Sequence, residues 1–277
     1  MDQLVVMGGR PIQGEMVPAG NKNEALPCLA AALLTEEPVR IENVPEIADM
    51  RTMVELLETL GCAVESGGHA VTVGAAGAEA PDLDTARQIR GSFLLAGPLL
   101  ARRGRVHLPA PGGDRIGRRR VDTHLLAFRR LGARISLDNG EYVLDAPDGL
   151  VGADIFLDEA SVMGTENAIM AAVRARGTTR IANAASEPHV QGLCRMLLGM
   201  GASIRGIGTN LLEIRGVDAL GASTHRIGPD HQLRWIHVLR MVRQAGDHRH
   251  NGARLRQPRA AQLHDQPSRT GSVRFGM

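Results

Sequence analysis

The chain has 277 residues, of which 43% are apolar and 22% charged, and its formal net charge is +2. This composition is typical of folded domains and excludes a wholly disordered chain. No apolar run approaches the roughly 20 residues that a membrane-spanning helix needs, so we expect no membrane association. The first residues lack a basic segment followed by an apolar stretch, which predicts a cytoplasmic protein. Cys28, Cys62 and Cys194 are widely spaced and predict buried thiols rather than a metal site or disulfides.

The charges are distributed unevenly along the chain. Residues 231–277 contain 9 arginines and 2 aspartates but neither lysine nor glutamate, whereas the residues before them are net acidic. This tail has no interleaved aromatic residues and little periodicity, so we expect no nucleic-acid partner. Lys22 is the only lysine among the 32 basic residues. It therefore indicates a position that requires an ammonium group. The alternative interpretation is that one lysine remains by chance and has no special role.

Three segments of the chain repeat one pattern at a spacing of about 70 residues. Each repeat predicts an apolar helix, a strand, an amphipathic helix that ends before a glycine, and two further strands. The apolar helices are predicted over 23–34, 91–101 and 165–175, and the amphipathic helices over 50–60, 121–131 and 190–200. The pattern predicts an α/β domain with three-fold pseudo-symmetry over 22–229, with the apolar helices packed inside.

Polar residues stand at the start of each apolar helix. Lys22 lies between Asn21 and Asn23, where free backbone N–H groups and an ammonium favour an anion. Arg90 precedes the second apolar helix, although a single arginine is more often a plain surface residue. The segment 161–167 precedes the third apolar helix. Because the repeats are equivalent, we expect these segments to gather around one cleft.

The loop over 111–120 is a fourth candidate. It holds three glycines, the acid Asp114 and four arginines, which suits binding of a phosphate by a mobile loop. A solvated, charged turn is the alternative interpretation. Asp122 follows the loop, and a helix-capping role explains it equally well.

Several motifs over residues 1 to about 230 resemble those of the UDP-N-acetylglucosamine enolpyruvyl transferase (1-carboxyvinyltransferase) family. They are Ala19 to Pro27, Asn43-Val44-Pro45, Pro111-Gly112-Gly113, Ile116-Gly117, Asp122-x-His124 and Leu131-Gly132-Ala133. The resemblance implies transfer of enolpyruvate from phosphoenolpyruvate to the 3′-hydroxyl of UDP-N-acetylglucosamine, the first committed step of peptidoglycan synthesis. It implies no cofactor and no metal. It also implies an inside-out α/β barrel of two domains with three βαβαββ-like repeats each, of which our three repeats match one domain.

The resemblance also assigns candidate site residues, position by position. Asp114 corresponds to the catalytic proton donor, which is a cysteine in most members of the family. The residues that correspond to phosphoenolpyruvate contacts are Lys22, Asn23 and Arg119. Those that correspond to sugar-nucleotide contacts are Arg90, Arg119, Arg120, Val121, Asp122, Thr123, Glu159, Ala160, Ser161 and Val162. Arg120 and Glu159 depart from the family pattern, which usually has a proline and a basic residue there.

In the family, a second domain combines the first residues with everything after about residue 230. We therefore expect residues 1–21 to belong to that domain, residues 22–229 to form the three-repeat domain, and residues 230–277 to be an aberrant, disordered tail read out of frame. The general base of the family would then be missing and this chain itself inactive. Two alternatives remain open: a transferase like 5-enolpyruvylshikimate 3-phosphate synthase, and a non-catalytic sugar-nucleotide-binding half-protein. The sequence does not predict the oligomeric state.

Overall fold

The computed structural model describes residues 15–16, 18–78, 83–111, 120–230 and 273–274. The chain divides into two compact units, of which the larger is Gly20–Gly228. The smaller unit combines Met1–Ala19 with Pro229–Met277. Most of its residues lie outside the described part, so the predicted nature of the first 21 residues and of the tail stays a prediction.

The helices and strands follow the predicted order. The α-helices are α1 (Lys22–Ala31), α2 (Ala48–Thr59), α3 (Leu83–Ala86), α4 (Ala96–Arg103), α5 (Asp122–Arg130), α6 (Val162–Ala172) and α7 (Pro188–Gly199), and 3-10 helices span Ala32–Leu34 and Arg90–Leu95. The strands are β1 (Glu15–Met16), β2 (Val39–Glu42), β3 (Ala63–Gly67), β4 (Ala70–Gly74), β5 (Arg105–Leu108), β6 (Arg134–Asp138), β7 (Glu141–Asp145), β8 (Asp154–Phe156), β9 (Thr178–Ala182), β10 (Ser203–Arg205), β11 (Leu211–Arg215), β12 (Ser223–Arg226) and β13 (Val273–Arg274). In the smaller unit, β1 pairs antiparallel with β13.

The glycines after the three amphipathic helices terminate them as predicted. Gly61, Gly132 and Gly201 follow α2, α5 and α7 with φ angles of 89°, 98° and 101°. A residue with a side chain rarely adopts this left-handed conformation, which glycine reaches without strain. The prediction of a repeated glycine cap is confirmed.

The second apolar helix differs from the single helix predicted over 91–101. It begins as the 3-10 helix Arg90–Leu95 and becomes α-helical only at Ala96. Two adjacent residues explain the change. Pro98 has no N–H to donate to the preceding turn, and the N–H of Gly97 donates instead to the side-chain oxygen of Asn167 at 2.9 Å.

Each repeat contributes one sheet, and the strand orders are β12-β2-β4-β3, β5-β7-β6 and β10-β11-β9-β8. Sequence analysis missed β8 and β12, which pair parallel with β9 and β2. The strand β12 completes the first sheet although it comes from the end of the larger unit. Both missed strands bury few residues: in β8 only Ile155 is buried, and β12 has no fully buried residue, so neither shows an apolar alternation.

Two asparagines fasten these parallel strands in the same way. Asn43 and Asn183 follow β2 and β9 with φ angles of 59° and 58°, a left-handed conformation that asparagine tolerates better than most residues. Asn43 donates through Nδ2 to the carbonyl of Ile227, and Asn183 donates to that of Leu157, both at 2.9 Å. In the first and third repeats, equivalent asparagine side chains therefore hold the added parallel strand against its neighbour.

The three apolar helical segments pack together with their starting ends on the same side. Near the starts, a Cβ atom added to Gly91 would lie 3.2 Å from the δ carbons of Leu26 on α1. At the opposite ends, Arg102 of α4 donates to the carbonyl of Leu33 at 3.1 Å, and Arg174 after α6 donates to that of Leu34 at 3.4 Å. Because contacts match at both ends, the segments run parallel and their N-termini face one side of the domain.

The core around these helices is mainly aliphatic, because the chain has only 4 Phe, 1 Tyr and 1 Trp. The three cysteines are buried and unpaired. Burial raises the pKa of Cys62 to about 11 and that of Cys194 to about 12, and it raises the pKa of Cys28 as well. All three thiols stay protonated at neutral pH, so the prediction of buried structural cysteines is confirmed. Among the described residues, no helix is both long and apolar enough to cross a membrane.

Candidate functional site

The start of α1 has the features of an anion site. Asn21 caps the helix by accepting the N–H of Asn23 at Oδ1, 2.8 Å away. The first-turn N–H groups and the positive end of the helix dipole favour a negative charge at this point. Lys22 adds an ammonium whose side chain is 44% exposed and forms an ion pair with Asp49 on α2. Sequence analysis did not identify Asp49, which lies in the first turn of a different helix from Lys22.

The structure joins the second repeat's two candidate segments by a direct hydrogen bond. Arg90 donates through Nη2 to the carbonyl of Arg120 at 3.2 Å. The Arg120 side chain in turn contacts Asp122, with Nε 2.5 Å from Oδ2. This hydrogen bond and the charge of Asp122 raise the pKa of Arg120, and the nearby carboxylates of Asp158 and Glu159 act in the same direction. Three carboxylates therefore act on this exposed guanidinium, and Asp122 has the largest effect.

A second contact joins residues 120–123 to the start of α6. The Thr123 hydroxyl donates to Oδ1 of Asp158 at 2.7 Å. A Cβ atom added to Gly164 in the first turn of α6 would lie 2.9 Å from the Thr123 methyl group, so only glycine allows this approach. Ser161 caps α6 by accepting the N–H of Gly164 at 3.2 Å. The predicted sugar-nucleotide segments 120–123 and 159–162 thus lie side by side.

A buried polar network lies directly beneath this contact. Asn167 of α6 is fully buried, and its Nδ2 bonds the carbonyl of Phe93 at 2.9 Å and Nδ1 of His124 at 2.8 Å. The Phe93 ring meets the His124 ring edge to face at 5.1 Å between centroids. Burial lowers the pKa of His124 to about 3, and the positive charge of Arg90 contributes to this decrease. His124 is therefore neutral, and its Nδ1 accepts the hydrogen bond.

The sequence-predicted residues fall into three groups. Arg90, Arg120 to Thr123 and Glu159 to Val162 adjoin one another through the contacts above. Lys22 and Asn23 lie on the same side of the domain, because the three helical segments start at the same end. Asp114 and Arg119 lie outside the described residues, and so do Arg115 and Arg118. Among the described residues, no cluster of three or more metal-binding side chains occurs.

Known proteins resemble the chain over most of its length. The family model for EPSP synthase (3-phosphoshikimate 1-carboxyvinyltransferase) matches residues 6–232. The chain is 52% identical to the UDP-N-acetylglucosamine 1-carboxyvinyltransferase of Treponema denticola and 54% identical to that of Bradyrhizobium diazoefficiens. Each alignment covers 83% of this chain, but only 54% and 53% of the relative. The chain thus spans about half the length of the curated relatives it matches.

Solved structures show the same relationship. The enolpyruvyl transferase NikO from Streptomyces tendae matches with a TM-score of 0.72 and 25% identity, over 83% of this chain and 55% of that one. An EPSP synthase from Acinetobacter baumannii matches with a TM-score of 0.66 over 80% of this chain and 51% of that one. At 19% identity, this match shows a shared fold alone.

Three α/β repeats around parallel helices, with Lys22 and Arg90 at the starts of the first two helical segments, define the class of enolpyruvyl transferase domains. The chain belongs to the EPSP synthase (3-phosphoshikimate 1-carboxyvinyltransferase) family. Within this family, its relatives at about 50% identity are UDP-N-acetylglucosamine 1-carboxyvinyltransferases. The resemblance drawn from the sequence motifs is confirmed.

Proposed function

We propose that this chain supplies the sugar-nucleotide and phosphate sites of a UDP-N-acetylglucosamine 1-carboxyvinyltransferase. The reaction transfers enolpyruvate from phosphoenolpyruvate to the 3′-hydroxyl and releases phosphate, in the cytoplasm and as a step of peptidoglycan synthesis. The observation that carries the proposal is that segment 120–123 binds both Arg90 and Asp158, the residue directly before segment 159–162. These segments correspond to the family's sugar-nucleotide contacts, and the relatives named for this reaction are about 50% identical to the chain.

The proposed roles follow from the chemistry of the addition. A proton must reach the terminal carbon of phosphoenolpyruvate as the new C–O bond forms, and cations must stabilise the phosphate that later leaves. Asp114 would donate the proton, and Lys22, Asn23 and Arg119 would hold the phosphate. The start of α1 supports this assignment, because it combines a helix N-terminus with a half-exposed ammonium.

In this proposal, residues 22–229 are one three-repeat domain of an inside-out α/β barrel, and residues 1–21 and 230–277 lie outside that domain. The parallel strand β12, which returns to the first sheet, supports the domain boundary near residue 229. The alternative substrate, shikimate 3-phosphate, has less support. The EPSP synthase structures that match the fold are only 19–20% identical to this chain.

Binding of UDP-N-acetylglucosamine tests the proposal. We expect isothermal titration calorimetry to detect this ligand and to detect no binding of shikimate 3-phosphate. The Arg90→Gln variant should bind the sugar nucleotide at least about tenfold more weakly, since a lost charge-assisted contact costs about 1.5–3 kcal/mol. Arg87→Gln is the matched control, because Arg87 pairs with Asp84 and Glu141 instead. Preference for shikimate 3-phosphate, or equal effects of the two variants, would contradict the proposal.

The 277-residue polypeptide alone should release no phosphate from the two substrates, because the family's general base lies outside the matched region. A phosphate-release assay at saturating substrate concentrations checks this expectation. Turnover within tenfold of a full-length relative would show that the chain holds a base of its own.

Asp114 leads to a further prediction for a chimaera that joins residues 1–230 to the second half of a full-length relative. Aspartic acids ordinarily lose their proton near pH 4 and cysteine thiols near about pH 8.5. Activity should therefore decline with rising pH more steeply with Asp114 than with Asp114→Cys.

Fosfomycin inactivates the family by alkylating the cysteine thiolate, and a carboxylate is a poorer nucleophile toward its epoxide. The chimaera with Asp114 should resist fosfomycin, and its Asp114→Cys variant should be sensitive. Equal inactivation rates would show that Asp114 does not occupy the position of the proton donor.

A further inference from the structure

Glu24 places a carboxylate inside the first turn of α1, directly after the two residues assigned to the phosphate. The Glu24 side chain is only 7% exposed, whereas that of Lys22 is 44% exposed. A buried carboxylate is costly unless hydrogen bonds and charges compensate it. Its partners therefore indicate what this position does.

Both partners of the Glu24 carboxylate come from the end of the larger unit, some 200 residues away in sequence. The Glu24 Oε1 atom lies 2.9 Å from Nε2 of His225 on β12. The other oxygen, Oε2, accepts the N–H of Gly228 at 3.2 Å. Because the carboxylate accepts, the His225 nitrogen that faces it carries the proton.

A third element is shaped to accommodate this carboxylate. A Cβ atom added to Gly192 of α7 would lie 2.2 Å from the Glu24 carboxyl carbon. A side chain at Gly192 would therefore expel the carboxylate from its position. The helix α7, the segment 225–228 and the start of α1 all meet at this one group.

The same segment holds the backbone at the start of α1. The N–H of Asn21, the capping residue, donates to the carbonyl of Gly228 at 2.9 Å. Asn43 donates to the neighbouring carbonyl of Ile227 at 2.9 Å. Segment 225–228 thus contacts the first turn of α1 before and after Lys22 and Asn23.

We infer that Glu24 is a positioning residue: through His225 and Gly228 it fixes the first turn of α1 and thereby aims Lys22 and Asn23 at the substrate phosphate. This inference rests on the proposed function for the identity of the phosphate. Glu24 touches no substrate in this arrangement and acts only through the residues that it orients. The strand β12 consequently has two roles, since it completes the first sheet and supports the anion site.

Lys22 itself reports on the inference, because it is the only lysine in the chain. In the untagged full-length chain labelled with ¹³C,¹⁵N-lysine, the side-chain NMR signals of Lys22 are observed without overlap. We expect Glu24→Ala and His225→Leu to displace or broaden these signals in the ligand-free protein. The milder Glu24→Gln variant keeps one hydrogen bond and should give a smaller displacement, and it serves if Glu24→Ala does not fold.

Two further variants separate positioning from general loss of stability. His225→Gln retains a donor for the carboxylate and should restore the wild-type Lys22 signals. Glu37→Gln is the matched control, because Glu37 accepts the N–H of Ala222 at 2.8 Å, just before β12 and away from Lys22. It should leave the Lys22 signals unchanged even if it lowers the melting temperature.

Titration with phosphoenolpyruvate then tests the consequence for binding. The dissociation constant should rise at least tenfold in Glu24→Ala and His225→Leu, and by less than twofold in Glu37→Gln. If the wild-type chain does not bind phosphoenolpyruvate, the proposed function fails, while the ligand-free signals still decide the role of Glu24. Ligand-free Lys22 signals that coincide in wild type, Glu24→Ala and His225→Leu would overturn the inference, as would failure of His225→Gln to restore them.

Discussion

Replacing Asn167 with alanine is expected to lower the free energy of unfolding by about 3–5 kcal/mol. The substitution removes the partner of two buried groups, the N–H of Gly97 and Nδ1 of His124. It also removes one of two hydrogen bonds to the Phe93 carbonyl, which still accepts the N–H of Ala96. Each buried polar group left unpaired costs about 1–3 kcal/mol, and the cavity adds to that cost. Urea denaturation followed by circular dichroism measures the change.

The same substitution should weaken binding of UDP-N-acetylglucosamine, because Asn167 connects the start of the second helical segment to α5 and α6. Asn139→Gly provides the control. Asn139 is an exposed turn residue with a φ angle of 49°, so glycine fits there and the change should stay within about 0.5 kcal/mol. A loss below about 1 kcal/mol for Asn167→Ala would show that the network does not hold the repeats together.

Replacing Glu166 with glutamine is expected to stabilise the protein at alkaline pH. Glu166 of α6 is 1% exposed, and its Oε1 atom has no hydrogen-bond partner among the described residues. Burial raises the pKa of Glu166 well above its usual value, and the charge of Glu187 adds to the increase. The folded protein therefore keeps this proton at a pH where the unfolded chain has released it.

The sign of the pH dependence follows from proton binding. Above the unfolded pKa of about 4.3 the folded state binds more protons, so stability falls by about 1.4 kcal/mol per pH unit until the folded pKa is reached. The glutamine variant has no such proton and lacks this slope. The two proteins should be similarly stable near pH 4.5, and Glu166→Gln should gain an advantage that grows toward pH 8.

His124 contributes the opposite slope. Since its folded pKa is lowered to about 3, the stability that depends on neutral His124 is lost as the pH falls from about 6.5 toward 3. The two groups offset each other between about pH 4.5 and 6.5, and Glu166 alone acts above that range. Urea denaturation from pH 5 to 9 measures the slopes, with Glu187→Gln as the control that only reduces the raised pKa. Parallel curves for wild type and Glu166→Gln would contradict the prediction.

The repeating architecture could be predicted because it depends on local physical chemistry. The period of the apolar residues indicates each helix, and a glycine that must adopt a left-handed conformation marks each helix end, as at Gly61, Gly132 and Gly201. The second apolar helix was harder, since its 3-10 start depends on Asn167, a side chain 70 residues away that binds the N–H of Gly97. The parallel strands β8 and β12 were missed because they bury at most one residue each, whereas the equally short β2 and β5 alternate between buried and more exposed positions.

For the candidate site, the sequence by itself determined which residues carry charge at the start of each repeat, and the motifs determined the family. Only the tertiary structure decided what those residues contact, because their partners come from other repeats. It placed His124 and Asn167 in a buried network, paired Lys22 with Asp49, and turned the Glu24 carboxylate inward to His225. A carboxylate in the first turn of a helix ordinarily indicates a solvated position. Only packing against Gly192 and the distant segment 225–228 makes it a buried anchor.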